Sequence, residues 1–174
     1  MLIVATLVLG AGLYAFQPWK LWQNETVNEA LPTASAAPGP ASSSTAAGTT
    51  APPSPSGPQT LAQGALISHE HSTTGTVKLI RLPDGSRTLR FENLDTSNGP
   101  DLRVWLTDAP VKEGKEGWDV FDDGKYVSLG KLKGNRGDQN YEVPADVNLA
   151  DYTSITIWCD RFNVSFGAAA LQAA

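Results

Sequence analysis

Of its 174 residues, the chain has one cysteine, two histidines and one methionine, the residue types that first suggest thiol or metal chemistry. The cysteine, Cys159, stands in the run Ile155-Thr156-Ile157-Trp158-Cys159-Asp160-Arg161. Without a second cysteine it cannot close an internal disulfide. As a thiol it can pair with another molecule, become a sulfenic acid or ligate a soft metal. As a core residue it is a small hydrophobe with a raised pKa. Arg161 favours its thiolate and Asp160 opposes it, so both readings stay open here. His69 and His71 are two apart and would face the same side of a strand. With Cys159 they form a candidate three-ligand set suited to copper or zinc; the bland alternative is a pair of exposed imidazoles where the domain begins. A haem would need an axial ligand, which a histidine or Cys159 could supply. No C-x-x-C-H motif is present, so covalent c-type attachment is excluded.

Other chemistries find little footing. There is no Ser/His/Asp set, no close carboxylate pair in a recognisable frame and no phosphate-binding loop. This favours a domain that is not a stand-alone enzyme. A net charge of -5, with Lys and Arg scattered singly, excludes the basic stripe of a nucleic-acid binder. Asn98-Gly99-Pro100-Asp101 reads as a turn rather than a cation site. Arg136-Gly137-Asp138 spells an integrin-binding tripeptide, but its glycine-rich surroundings make it a turn. Trp105, Trp118 and Trp158 read most simply as packing residues.

The elements that must position these groups are strands. Leu89 and Phe91 alternate with polar residues, as do Leu102, Val104 and Leu106, and turn signals such as Pro83-Asp84-Gly85-Ser86 and Asn98-Gly99-Pro100 separate the runs. In Ser154–Cys159 the same alternation puts Ile155, Ile157 and Cys159 on one face, with Thr156 and Trp158 on the other. No amphipathic helix of ten or more residues is apparent after Gly64. The expected fold is all-β, an antiparallel sandwich or jelly-roll-like domain over 64–174. The longest interruption, Val111–Asp123, is expected to be a surface loop.

Two segments precede that domain. Leu2–Phe16 is apolar and, with Trp19, Leu21 and Trp22 at the headgroup layer, approaches the roughly 20 residues needed to span a hydrocarbon core about 30 Å thick. Residues 1–22 therefore read as a single-pass membrane helix, with a cleaved signal peptide as the competing reading. Residues 23–63, rich in Pro, Ala, Ser and Thr, read as a disordered linker, a tether with an r.m.s. reach of roughly 30 Å. Such stalks suit the outside of a cell, which outweighs the single Lys20 and places the C-terminal domain outside the cytoplasm.

Ser68-His69-Glu70-His71 with Thr74-Gly75-Thr76, then Asn98-Gly99-Pro100-Asp101-Leu102, Gly134-Asn135-Arg136-Gly137-Asp138-Gln139-Asn140-Tyr141, and Ile157-Trp158-Cys159 with Phe166-Gly167-Ala168, form an ordered set. That set resembles the DM-thirteen electron-transfer domain over about Gly64 to Leu171, a family found in membrane-anchored bacterial proteins. The resemblance implies a β-rich extracellular module with a redox role centred on its cysteine, here Cys159, acting bare or with a group such as haem. It also implies a redox or surface protein as partner. The alternative expectation is a non-catalytic binding or adhesion module on a flexible stalk, using the Val111–Asp123 loop.

Overall fold

The computed structural model describes residues 10, 12, 14, 23–32 and 57–174. Eleven strands follow in order: β1 (Thr26–Asn28), β2 (Gln59–Ala65), β3 (Ile67–Ser68), β4 (Thr74–Arg81), β5 (Arg87–Asp95), β6 (Leu102–Thr107), β7 (Tyr126–Lys131), β8 (Arg136–Val143), β9 (Ser154–Cys159), β10 (Val164–Ala170) and β11 (Gln172–Ala173). They form two sheets, one ordered β1-β8-β5-β4-β2-β11 and the other β3-β10-β9-β6-β7. Every pairing is antiparallel except β1 with β8. The sandwich expected from alternation is what forms.

The space between the sheets is filled as the alternation requires. Val77 and Leu79, Leu89 and Phe91, Leu102, Val104 and Leu106, Ile155 and Ile157, and Phe166 make one buried cluster. Each such side chain contributes about 1.5–3 kcal/mol when fully buried. Phe91 and Tyr141 meet edge to face at 5.8 Å. Against expectation, all six residues of β9 are buried, including Thr156 and Trp158 on its outer face. The cover is the segment expected to be a surface loop. It packs across the outer face of the second sheet and buries Phe121 and Ala109 with Trp105, Trp158 and Ala168 as a second cluster.

The largest departure concerns the linker assigned to 23–63. Residues 23–32 form a strap on the first sheet, and β2 begins at Gln59, well before Gly64. β1 pairs Thr26 with Arg136, Val27 with Gly137 and Asn28 with Asp138. Polar groups distant in sequence hold it. Asn135 accepts from the Glu25 amide at 2.7 Å, and the Arg136 amide donates to the Glu25 carbonyl. Arg90, 8 % exposed, donates to the Glu29 carbonyl, Asn140 Oδ1 and Asp138. Glu29 meets Lys133 Nζ at 2.7 Å and takes the Asn140 amide at 2.8 Å. Gly137, at φ +92°, leaves room for the Val27 carbonyl where any Cβ would overlap it.

The strap changes what the Pro/Ala/Ser/Thr-rich residues connect. β1 starts beside Thr74, Asp95 and Arg136, with the Gln23 carbonyl near Asn98. Ala30 and Pro32 line a groove of about 610 Å³ with Leu82, Asp84, Ser86 and Arg87, at the opposite end of the sheet. Gln59 pairs with Arg81 at that same far end. Residues 33–58 thus join two points at one end of the domain, so they cannot be the tether between residue 22 and the body. The helix expected over Leu2–Phe16 falls outside the described residues, apart from helical backbone at Gly10, Gly12 and Tyr14. Among the described residues no helix is long and apolar enough to cross a membrane.

Candidate functional site

Cys159 ends β9, paired with Leu102 of β6 and Val164 of β10. Its side chain belongs to the inner cluster and is 0 % exposed. Burial pushes its thiol pKa up. The backbone N–H groups of Phe162, Arg161 and Asp101 donate to the sulfur and pull the other way, while the charge of Glu70 adds to the rise. The net direction is upward, so the thiol stays protonated at neutral pH. The 160–163 turn seals it, with the Phe162 amide donating to the Cys159 carbonyl and the Asp160 amide to Asp101.

The two histidines go to different places, contrary to the same-face expectation. β3 stops at Ser68, and the chain bends through residues 69–72, so strand alternation does not reach His71. His69 points toward the outer layer, 5.7 Å from the Phe121 ring. Its Nε2 lies 3.0 Å from the Lys112 carbonyl, which can only accept, so Nε2 carries the proton. Nδ1 then accepts from Ser165 Oγ at 2.7 Å, and Ser165 accepts from Thr156. Burial lowers the His69 pKa, only partly opposed by the Lys112 carbonyl. His69 is a neutral pin that fastens the 111–123 segment. The His71 ring lies over Phe166 at 3.9 Å, tilted by 35°, and Nε2 meets Glu70 at 3.2 Å.

The set His69, His71 and Cys159 therefore does not converge. Both His69 nitrogens are committed, His71 is engaged by Phe166 and Glu70, and the sulfur is sealed. Among the described residues no group of three His, Cys, Asp or Glu side chains could hold a metal ion. Two grooves of about 610 and 590 Å³, both bordered by strap residues, include neither Cys159 nor either histidine in their linings. These residues do not fit a haem or a bound transition metal.

What the sheet does assemble is an aromatic series on the outer face of the second sheet. Tyr126, at the start of β7 and 46 % exposed, stacks on Trp105 at 4.1 Å and 12°. Trp105 stacks on Trp158 at 5.0 Å and 25°, and Phe121 closes on Trp158 at 6.4 Å edge to face. Trp158 is fully buried and directly precedes Cys159, one peptide away through the sheet. Trp105 Nε1 is buried with no hydrogen-bond partner among the described residues. The series runs along the sheet: Tyr126 lies opposite Thr107 at the far end, and Trp158 opposite Arg103, near Cys159. The parity of Trp105 and Trp158, both out of phase with the core residues beside them, was the sequence signal for this layer. Tyr126 gave none.

The profile of the electron transfer DM13 family matches residues 65–171. The chain belongs to that family. No curated protein and no solved structure gives a significant match.

Proposed function

We propose that this chain is a membrane-tethered, extracytoplasmic electron-transfer domain whose conduit is the stacked series Tyr126–Trp105–Trp158. The observation that carries the reading is that series itself: flat aromatic contacts leading from an exposed phenol to a fully buried indole beside the lone cysteine. Overlapping π-systems in van der Waals contact are favourable steps for single-electron exchange, and a low-dielectric surround keeps solvent reorganisation small. An electron from a reduced partner at one end replaces one lost to a one-electron acceptor at the other. No atoms are transferred. When Tyr126 is the oxidised site, its phenolic proton passes to water, and it returns when the electron is replaced. Thiol–disulfide exchange is not part of this reading, because the folded domain seals Cys159 and keeps it protonated.

Membranes from the native host test the reading. Reduction of a soluble one-electron acceptor by the wild-type chain is compared with that by Trp105→Leu and Cys159→Ala. Loss with Trp105→Leu alone supports the conduit; loss with Cys159→Ala alone returns the role to sulfur. A second reading, a non-catalytic binding module presenting the 111–123 segment, draws on the complete burial of Cys159. Acceptor reduction that is the same in membranes lacking the chain would favour it.

A further inference from the structure

We infer that the Cys159 end of the sandwich is the face of the domain that lies against the lipid bilayer. The inference rests on the tether proposed above and adds an orientation to it. Four observations carry it. First, Gln23 follows Trp22 directly, and its carbonyl sits beside Asn98, whose loop leads to Asp101 and the cysteine seal. Second, β1 runs parallel to β8, so the chain enters at this end and travels away from it. The body of the domain must then extend in the direction of β1. Third, only six residues separate Phe16, the end of the apolar run, from Gln23, and the seven Cα–Cα steps between them reach at most about 25 Å. β5, with nine residues, is itself about 30 Å long. The far end, with the Pro83–Ser86 turn, is therefore the one held off. Fourth, the 160–163 turn projects Arg161 and Phe162 at the near end, with Phe162 48 % exposed. An exposed aromatic ring next in sequence to an arginine suits a headgroup layer, and Asp160 of the same turn is paired with Arg103.

The strap makes this possible, since a free tether of forty residues would leave orientation open. It also fits the conduit to its surroundings. Trp158 lies toward the lipid-facing end and Tyr126 toward the aqueous one, so the electron donor or acceptor at the Trp158 end would be confined to the membrane.

The test uses the full chain in phosphatidylcholine–phosphatidylglycerol vesicles. A single fluorophore is placed at Arg161→Cys or at Ser86→Cys, each in a Cys159→Ala background. Doxyl-labelled lipid and aqueous iodide serve as quenchers. The expected result is loss of iodide quenching and gain of lipid quenching at position 161, with the reverse at position 86. If the chain floats with the vesicles but both positions stay open to iodide and closed to lipid quenching, the orientation is overturned while the tether stands. If position 86 alone is shielded, the opposite end faces the bilayer and the inference also fails. A chain that does not float with the vesicles removes the tether, and the orientation with it.

Discussion

Replacing Gly134 by alanine isolates the strap from the rest of the domain. A Cβ at this position would lie 2.5 Å from the Glu25 carbonyl oxygen and 2.9 Å from Val27 Cγ2, both on the strap. The Gly134 backbone is not in the left-handed region, unlike that of Gly137, so the substitution adds crowding without torsional strain. Overpacking of this kind costs about 1–3 kcal/mol. The cheapest relief is to lift Glu25 and Val27 away, which breaks the Glu25–Asn135 and Arg136–Glu25 hydrogen bonds and leaves the sandwich core intact. Opening of the strap should then become about 5- to 150-fold more favourable. Amide hydrogen exchange resolved by peptide reads this directly. Residues 24–29 should exchange faster by that factor, and β5 should not change. Unchanged exchange at 24–29 would show that the strap is not packed as described. Equal acceleration in β5 would show that it is no separable unit.

Two further outcomes follow from burial. His69 has its pKa lowered from 6.5, so the folded state takes up its proton less readily than the unfolded chain does. The stability it contributes is full above pH 6.5 and is lost as pH falls toward the folded value. Chemical denaturation should show a midpoint that declines from pH 7 to pH 5, and a His69→Phe variant should flatten that slope; an equally steep decline in the variant would refute the assignment. Cys159 should react with an aromatic disulfide reagent at least on the order of a thousandfold more slowly than a free thiol, equivalent to about 4 kcal/mol of opening. Native-state labelling at the free-thiol rate would contradict the seal.

The strands of the sandwich were legible because their apolar residues alternate. Leu89 with Phe91, and Ile155 with Ile157 and Cys159, show their faces without help, and the burial of Cys159 follows from that parity. The strap was not legible. Thr26-Val27-Asn28 offers no periodicity, and its partners Arg90, Asn135 and Asn140 lie more than sixty residues away in the chain. The first residues of β2 are polar or small and pair through the backbone alone. The histidines escape strand alternation because it ends at Ser68, where the chain bends and Thr73 bonds Ser68, Thr96 and the Phe166 carbonyl. Trp105 and Trp158, two large rings out of phase with the core residues beside them, read only as packing residues, and nothing local to them in the sequence names the segment that covers them. The identity of that cover depended on His69 and Phe121 meeting it in space, which no local pattern records.

The central claim is that electrons move through the aromatic series, and time-resolved photo-oxidation of the purified chain tests it most directly. A ruthenium photo-oxidant attached at Lys125→Cys, beside Tyr126, in a Cys159→Ala background, should generate a tyrosyl or indole radical within the lifetime of the oxidised metal. Trp105→Leu should confine the radical to Tyr126. Radical formation at Trp158 that is indifferent to Trp105→Leu, or no indole radical in the chain that retains Trp105, would contradict the account.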